Sequence, residues 1–475
     1  MVRVRIAPTP SGKLHLGTAH TALFNYLFAK HHQGSFILRI DDSDPKRTDQ
    51  ACERDIVDSL RWLGLDWDEG VEVGGDYGPY RQSERMDRYW PYVEKLLASD
   101  QAYYCYCTPE ELAKERDEMR AKKLAPKYSG HCRDLTKPQI TEYRQQGRQP
   151  VVRLRVPDKK VFFVDPARGK IEVDARGFGD FVIARSDRTA LLVLASTIDD
   201  IEMKISHTIR GEDYINFVPR QLLLFEALGI KPPIFAHLPF VYAADGSKLS
   251  KRHGAVAVSD YRQLGYLPEA VFNYLLLLGW SPGEDEEIIS KQEAIKRFKL
   301  EQVNTNAHRF DIKKLNWING VYIRQKSDKE LAELIKPYIN SKLKKQNVKL
   351  LKIASLIKER ITTLAEAKPM TDFFVAIGEY DKQLLLHKKA DFNLLKQQLQ
   401  MTKEVLGAID WQLATITQAL EDLCQTNQWH KGQFFMALRV AITGKTVTPP
   451  LFESLEILGK EETLKRLDTA SEIVR

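Results

Sequence analysis

Several features that define other classes of protein are missing from this sequence. It contains no run of about 18 apolar residues, the length that a helix needs to cross a membrane. It begins with a β-branched run that carries two arginines, which differs from the apolar segment of a signal peptide. It has no internal repeat and no low-complexity segment. These absences predict a cytoplasmic protein with no membrane partner.

Cysteine is scarce, at five residues among 475, and the odd number argues against a disulfide framework. Three of the five, Cys105, Cys107 and Cys132, nevertheless lie within 28 positions. Two cysteines two positions apart can reach one metal ion from a turn, and a distant third closes the site. This pattern predicts zinc, the alternative being three unrelated buried thiols. Three residues are candidates for the fourth ligand: Tyr128, His131 and Asp134.

The charge balance is mildly basic, with a net charge of +7 and a pI near 8.9. Such a charge permits a polyanionic partner without requiring one. Hydrophobic residues (43%) and charged residues (28%) have the proportions of a globular protein, and the length indicates three to five domains. After Lys326 no strand-like run occurs, and lysine-rich and leucine-rich amphipathic helices continue to the end. This all-helical basic region fits RNA binding, the alternative being an ordinary charged helical surface.

The first eighteen residues predict the beginning of a nucleotide-binding α/β fold. A β-branched strand over residues 2–6 leads through two prolines and a glycine to a helix over residues 21–29. We expect the amides at the start of this helix to face a phosphate group. Gly17 would let the ligand approach closely, and His15 would donate a hydrogen bond to phosphate oxygens.

Three later segments extend this unit. A second strand is predicted over residues 36–40, and Asp41, Asp42 and Asp44 follow it. These carboxylates could hold a metal ion or an amine at the carboxyl end of the strand. The alternative is an acidic turn that caps the next helix. Valine-rich alternation over residues 151–173 predicts antiparallel strands, so the α/β domain is interrupted. Residues 181–200 have the character of a buried strand.

A basic loop follows the second α/β segment. Residues 248–252 carry two lysines, a serine and an arginine close after an Asp-Gly turn. Cations placed around a phosphate chain stabilise a leaving pyrophosphate. The alternative interpretation is a solvated basic loop.

Together these segments resemble the bacterial-type glutamyl-tRNA synthetases, which are class I aminoacyl-tRNA synthetases, along essentially the whole chain. Seven motifs carry the resemblance in the order and spacing of the family: residues 6–12 with His15-Leu16-Gly17-Thr18, 39–44, 81–85, 209–213, 248–252, 310–317 and 438–444.

The resemblance implies a Rossmann catalytic domain interrupted by an α+β acceptor-stem-binding insert and followed by an all-α anticodon-binding region. The implied boundaries are 1–102 and 181–240 for the two halves of the catalytic domain, 103–180 for the insert, 241–325 for the basic loop and a stem-contact segment, and 326–475 for two helical anticodon-binding subdomains.

The resemblance also implies the reaction and its residues. ATP and L-glutamate would form glutamyl-adenylate, Mg²⁺ would accompany ATP, and the terminal ribose of tRNA(Glu) would then take the glutamyl group. The implied catalytic residues are His15, Lys248, Ser250 and Lys251. The implied ATP-binding residues are Pro8, Gly17, Leu249 and Lys251.

For the amino acid, the resemblance assigns Arg5 and Arg210 to the substrate carboxylates and Asp41 to its ammonium group, with Ala7 and Thr9 beside them. The sequence departs from the family at Leu192, where a tyrosine is expected, and at Ser196, where an asparagine often occurs. Loss of such a buried polar contact costs about 1–3 kcal/mol. Two alternatives to this activity therefore stay open. One is a paralogue that charges tRNA(Gln) or a dedicated tRNA, or that activates another amino acid. The other is an inactive tRNA-binding protein.

Two further assignments come from the resemblance. Some relatives use a tyrosine four residues before the last cysteine as a zinc ligand, which matches Tyr128. Arg360 matches an arginine that contacts the last anticodon base in discriminating members. A monomer is usual for the family.

Overall fold

The structure is a computed structural model that describes residues 1–247, 249–250, 252, 254–283, 286–385 and 391–474. It divides into two compact units. The first comprises Met1–Asp260 and Val271–Asp311, and the second comprises Tyr261–Ala270 and Ile312–Arg475. No helix in the described ranges combines the length and the apolar character that crossing a membrane would require.

In the part of the chain that the structure describes, all strands belong to the first unit. In chain order they are β1 (Arg3–Ile6), β2 (Ser35–Leu38), β3 (Glu69–Gly70), β4 (Ala102–Cys105), β5 (Val151–Leu154), β6 (Lys160–Asp165), β7 (Gly169–Asp174), β8 (Val182–Ala184), β9 (His207–Gly211), β10 (Ile234–Leu238), β11 (Val241–Tyr242) and β12 (His308–Arg309). The helices of the first unit are α1 (Leu16–His31), α2 (Gln50–Trp62), α3 (Met86–Ala98), α4 (Pro109–Ala121), α5 (Lys137–Gln145), α6 (Leu192–Glu202), α7 (Val218–Leu228) and α10 (Lys291–Arg297).

Two helices, α8 (Val258–Gln263) and α9 (Pro268–Leu277), contain residues of both units. The described residues of the second unit form helices and connecting loops without a strand. Its helices are α11 (Ile312–Gln325), α12 (Asp328–Ile335), α13 (Ser341–Lys344), α14 (Asn347–Ile357), α15 (Ala367–Thr371), α16 (Phe392–Ala408), α17 (Leu413–Thr426), α18 (Lys431–Thr443), α19 (Leu451–Leu458) and α20 (Lys460–Ile473).

The centre of the first unit is a parallel sheet. β2 pairs with β1 on one side and with β3 on the other, and β9 pairs with β10, in parallel throughout. Ser206, immediately before β9, donates its backbone N–H to the carbonyl of Arg3 in β1. All four residues of β1 are buried, as expected for a parallel strand covered on both faces. The carboxyl ends of β1 and β9 therefore lie close together, where ligands bind in open α/β sheets.

The insert between the two halves of this sheet contains two antiparallel sheets. β4, β5 and β8 form one of them, and β6 and β7 form a hairpin whose inward side chains alternate with exposed ones. The alternation of residues 151–173 thus correctly predicts antiparallel strands.

The prediction of a buried strand over residues 181–200 is wrong for most of its length. Only β8 is extended, and α6 begins at Leu192. A short apolar run does not distinguish a strand from a buried helix, and eight of the eleven residues of α6 are buried. The helix places Leu192 and Ser196 one turn apart on the same face.

Candidate active site

A cavity of about 470 Å³ opens at the carboxyl ends of β1 and β9. Eleven of the residues predicted from the sequence line it: Arg5, Ala7, Pro8, Thr9, His15, Gly17, Asp41, Leu192, Ser196, Arg210 and Leu249. Ser250 is described but is not among the lining residues, and Lys248 and Lys251 lie outside the described residues. The fold therefore joins segments that are as much as 240 positions apart in the sequence into one site.

His15 lies at the start of α1, where it caps the helix. Its Nδ1 accepts a hydrogen bond from the backbone N–H of Gly17 at 3.1 Å, so in the neutral ring the proton is on Nε2, which is then a donor. We expected the first amides of α1 to face a phosphate group, but two of them have partners in the protein. The N–H of Gly17 donates to His15, and the N–H of Leu16 donates to the carbonyl of Val256. These two amides are engaged within the protein, and His15 and Thr18 are the residues of this helix start that line the cavity with a polar side chain.

The chain's own packing does not require glycine at position 17. A Cβ added there would meet only Nδ1 of His15, at an ordinary contact distance of 3.5 Å. Gly17 nevertheless lines the cavity, so a side chain at this position would take space from a ligand.

A network of buried charges forms the floor of the cavity. Arg5 binds both carboxylate oxygens of Asp200, at 3.0 and 3.2 Å. Arg39 donates to the same carboxylate at 2.9 Å and holds Asp41 through two further hydrogen bonds, at 2.7 and 3.3 Å. Burial alone would raise the pKa of Asp200, but the two guanidiniums outweigh it and hold this pKa below its usual value. For Asp41 burial is the stronger effect, and it raises the pKa.

Arg210 differs from the other arginines of the cavity because no carboxylate among the described residues binds it. Its Nη2 is buried without a hydrogen-bond partner in the described part of the chain. The guanidinium lies 5.0 Å from the ring of Tyr214 and 5.3 Å from that of Phe235, and its Nε lies 3.5 Å from Nε2 of His237. Burial, with a smaller effect of Arg5, lowers the pKa of Arg210 to about 9. A buried cation in this state favours an anionic ligand.

The two positions that depart from the family pattern lie on α6. Leu192, 44% exposed, lines the cavity, in agreement with the place that the family resemblance gives it. Ser196 is buried and donates its hydroxyl to the carbonyl of Leu192 at 2.6 Å, while it accepts from Gln221 at 3.3 Å. The serine hydrogen is therefore used within the helix.

The three clustered cysteines meet in the insert. Their sulfur atoms all lie within 4.8 Å of one another, and the sulfurs of Cys107 and Cys132 are 3.5 Å apart. Sulfur ligands of one tetrahedral zinc ion are separated by about 3.8 Å. The Tyr128 hydroxyl lies 3.4 Å from the sulfur of Cys105 and 3.6 Å from that of Cys107. Hydrogen bonds from the other two thiols lower the pKa of Cys105.

The other two candidates for the fourth ligand have different partners. Nε2 of His131 lies 3.1 Å from the hydroxyl of Tyr143, and Asp134 forms an exposed ion pair with Arg155 at 3.1 Å. Of the three candidates, Tyr128 is the one whose polar atom contacts the sulfurs.

In the second unit, Arg360 is exposed at the end of α14. It lies close enough to Arg439 of α18 that, together with the burial of Arg439, its charge lowers the pKa of that arginine. Arg439 is half-buried and donates from Nη1 to the carbonyl of Pro449 at 2.8 Å, so Arg360 is the exposed member of this pair and the one that a phosphate backbone can reach.

Sequence reasoning missed several residues of the site. Arg39 lies within a motif but was given no role, and Asp200 was not predicted, although this buried pair holds Arg5 and Asp41 in place. Tyr214 and His237, which surround Arg210, were not predicted. Their position in the sequence was the available signal. Tyr214 follows β9 and His237 lies near the end of β10, and ligand-binding side chains concentrate at the carboxyl ends of parallel strands.

Comparison with known proteins agrees with this architecture. Residues 1–317 match the family described as "tRNA synthetases class I (E and Q), catalytic domain", and residues 330–471 match "Anticodon binding domain". The chain therefore belongs to the class I tRNA synthetases of this E and Q family.

The similar proteins carry a more particular name. Glutamate–tRNA ligase of Carboxydothermus hydrogenoformans is 43% identical, with 98% of this chain and 99% of the relative covered. Glutamate–tRNA ligase 1 of Caldicellulosiruptor saccharolyticus is 44% identical, with 98% of each chain covered. The crystal structure of a glutamate tRNA ligase from Elizabethkingia meningosepticum, solved in complex with its amino acid, is 34% identical and superposes with a TM-score of 0.89 over 100% of both chains.

Proposed function

We propose that this chain is a glutamate–tRNA ligase, which uses ATP to attach L-glutamate to tRNA(Glu). The observation that carries the proposal is the buried guanidinium of Arg210: its Nη2 lacks a hydrogen-bond partner among the described residues, and Arg210 lines the cavity together with other residues of the motif set.

The charge of the site favours an acidic amino acid. Three buried arginines and three aspartates are joined by ion pairs in one network: Arg5, Arg39, Arg85, Asp41, Asp199 and Asp200. Glu202 also binds Arg85. Arg210 lies outside this network without a carboxylate partner among the described residues, and zwitterionic glutamate carries one net negative charge. Glutamine, which is neutral overall, would leave Arg210 without an anion, and an unpaired buried charge is costly.

The side-chain carboxylate and the ammonium group of the substrate then each have a partner. The side-chain carboxylate binds Arg210, because a planar guanidinium donates two parallel hydrogen bonds to a carboxylate. The ammonium group binds Asp41, which Arg39 holds in place. Arg5 is already paired with Asp200, so we assign it an indirect contribution: its positive charge at the cavity wall attracts the substrate carboxylates.

The reaction proceeds in two steps. An oxygen of the substrate α-carboxylate attacks the α-phosphorus of ATP, the bond to the bridging oxygen breaks, and pyrophosphate leaves. A terminal ribose hydroxyl of tRNA then attacks the carbonyl carbon, AMP leaves with its oxygen, and the hydroxyl proton is released. His15 donates from Nε2 to the phosphate oxygens as charge moves onto them, and the basic loop with Lys248, Ser250 and Lys251 binds the pyrophosphate. The acceleration comes chiefly from positioning and charge stabilisation.

Two metal ions belong to the proposal. Mg²⁺ accompanies ATP and neutralises phosphate charge. Zinc would be held in the insert by Cys105, Cys107, Cys132 and Tyr128, where it would act structurally by joining two distant segments of chain. Elemental analysis of the purified protein should give about one zinc per chain, and the variant Cys132→Ser should lose it, whereas Cys424→Ser should keep it.

The remaining assignments concern the nucleic acid. We assign residues 103–180 to acceptor-stem binding and residues 326–475 to anticodon binding, with Arg360 at the last anticodon base. Binding of tRNA by the monomeric chain should weaken steeply as salt is raised, because phosphate contacts release counterions. Arg360→Gln should weaken selection between tRNA(Glu) and tRNA(Gln), whereas Arg54→Gln on the exposed surface of α2, outside both assigned segments, tests whether any lost arginine has that effect.

A second candidate is favoured by one observation, the apolar side chain of Leu192 at the cavity wall. It is a paralogue with the same chemistry that activates a related amino acid or charges tRNA(Gln). The deciding experiment is ATP–pyrophosphate exchange with a panel of amino acids in the presence of tRNA. Exchange with glutamate and not with glutamine or aspartate supports the main proposal, and exchange with another amino acid in place of glutamate contradicts it.

A further inference from the structure

Behind Arg210 lie two buried polar side chains that the mechanism above does not use. Nδ1 of His237 lies 2.8 Å from a carboxylate oxygen of Asp165, and both side chains are completely buried. On the other side of the ring, Nε2 of His237 lies 3.5 Å from Nε of Arg210. The three residues therefore form a line from the interior to the wall of the cavity.

The geometry defines which nitrogen of His237 carries the proton. Nδ1 faces a carboxylate, which only accepts, so the ring donates from Nδ1. Nε2 is then the acceptor and faces the Nε–H of Arg210. Burial is the main cause that lowers the pKa of His237; the nearby Arg210 and Arg168 act in the same direction, and together they outweigh Asp165. The ring is consequently neutral at pH 7, as an acceptor must be.

Asp165 is itself held rigidly, although it comes from the insert. It ends β6, and its second carboxylate oxygen accepts from the backbone N–H groups of Ala167 and Arg168, at 2.9 and 3.2 Å. Arg168 pairs with Glu212 at 2.7 Å, and Glu212 accepts from the backbone of Phe240 at 3.0 Å. Phe240 lines the cavity. Hydrogen bonds from Asp165 and Arg168 thus connect the turn between β6 and β7 to residues in or just after β9 and β10, the strands that carry the site.

We propose that His237 and Asp165 are positioning residues for Arg210, and that the insert thereby takes part in selecting the amino acid. Asp165 holds the tautomer of His237, and His237 fixes the Nε edge of Arg210 so that its Nη edge meets the substrate carboxylate. This inference rests on the proposed function, in which Arg210 binds that carboxylate. The simpler interpretation is a histidine that merely satisfies its hydrogen bonds in the core, and it predicts a loss of stability without a selective effect on the amino acid.

Three substitutions separate the two interpretations. In His237→Gln the side-chain carbonyl can reach the position of Nε2 and still accept from Arg210, whereas in His237→Asn the shorter amide cannot. In Asp165→Asn the amide oxygen keeps the turn, and the NH₂ group now donates to Nδ1. The ring then carries its proton on Nε2, where it opposes the N–H of Arg210. The matched control is Asp174→Asn, at the half-buried end of the same hairpin.

The readout is the KM for glutamate, the KM for ATP and kcat in pyrophosphate exchange with tRNA present. We expect His237→Asn and Asp165→Asn to raise the KM for glutamate about tenfold, the size typical of residues that orient a ligand-binding side chain, with the KM for ATP unchanged. His237→Gln should restore most of the affinity, and Asp174→Asn should match the wild type.

Several results would overturn the proposal. One is an unchanged KM for glutamate in His237→Asn and Asp165→Asn while Arg210→Lys raises it, which leaves the proposed function intact. Another is an equal rise in both KM values, or a His237→Gln variant as impaired as His237→Asn. A wild type that fails to activate glutamate contradicts the proposed function first. If the variants do not fold, ¹⁵N chemical shifts of His237 in the wild-type protein decide, since a proton on Nε2 instead of Nδ1 contradicts the proposal.

Discussion

The two units of the molecule bury very different side chains. In the first unit the described residues include ten buried arginines and aspartates: Arg3, Arg5, Arg39, Arg85, Arg153, Arg210, Asp165, Asp180, Asp199 and Asp200. In the described part of the second unit, Arg466 is the corresponding case, and its helices pack through leucine, isoleucine and alanine.

This difference follows from the work that each unit performs. A buried ion pair adds little net stability, because desolvation offsets its Coulomb energy, but it holds its members in defined positions. The first unit has to hold charges at a small-molecule site. The helical unit obtains its stability from apolar burial and keeps its lysines on the surface, where a polyanion can reach them. The predictions below test this contrast, beginning with the largest expected effect.

The first compares the same chemical change in both units. Asp200→Asn leaves Arg5 and Arg39 without a full counter-charge in a buried position, so we expect the first unit to lose about 3–5 kcal/mol of unfolding free energy. Asp468→Asn removes an exposed partner of Lys403 and should cost less than about 1 kcal/mol. Hydrogen exchange measured on peptides of each unit reports both values, and equal losses would contradict the contrast.

The second prediction concerns neighbouring leucines of α14. Leu350 is 1% exposed and Leu351 is 43% exposed. Leu350→Ala leaves a cavity in the apolar core and should cost the second unit about 2–5 kcal/mol, whereas Leu351→Ala should change its stability by less than about 0.5 kcal/mol. Urea denaturation monitored on the same peptides gives the comparison. A large loss of stability in Leu351→Ala would contradict the assignment of Leu350, and not Leu351, to the apolar core of this unit.

The third prediction is a pH dependence in the first unit. Burial, with a smaller effect of His308, lowers the pKa of His20 to about 3, whereas in the unfolded chain it is near 6.5. Between these values the unfolded state binds a proton that the folded state does not. Stability is therefore lost as the pH falls below about 6.5, by about 1.4 kcal/mol per pH unit.

The variant His20→Gln should reduce that slope in the first unit. Burial also lowers the pKa values of four other histidines there, which contribute in the same direction: His32, His207, His237 and His308. The second unit has one described histidine, His430, which is exposed, so its peptides serve as the internal control. Unfolding measured between pH 5 and pH 7 (about 1.5 units below 6.5, hence roughly 2 kcal/mol from His20) checks the sign, and an unchanged slope in His20→Gln would assign it to other groups.

The smallest expected effect is at the wall of the cavity. Leu192→Tyr adds a hydroxyl beside the bound amino acid, and one added hydrogen bond should lower the KM for glutamate about tenfold. Leu264→Tyr, the same change at an exposed position of the second unit, should leave kinetics unchanged. Steady-state aminoacylation measures both, and a higher KM in Leu192→Tyr would mean that the cavity has closed around the leucine.

Local features of the sequence predicted much of the fold. The apolar runs at residues 2–6, 21–29 and 36–40 predicted β1, α1 and β2. The hairpin of β6 and β7 follows from strict alternation. Residues 181–200 failed because a buried helix and a buried strand are both continuously apolar, and only the packing around α6 distinguishes them.

Within the site, the sequence by itself determined the nucleotide side. His15 and Gly17 lie two positions apart, so their hydrogen bond and the helix start between them depend on local chain geometry. The family motifs likewise name Arg5, Asp41 and Arg210 as separate residues.

Only the tertiary structure decided how those charges are shared. Arg5 pairs with Asp200 across 195 positions and Arg39 across 161, while Arg210 has His237, 27 positions away, as its polar neighbour. Which cation is neutralised and which is left for a ligand depends on distances between strands that meet only in the folded chain. Electrostatic energy in a buried site varies steeply with such distances, and no pattern along the sequence encodes them.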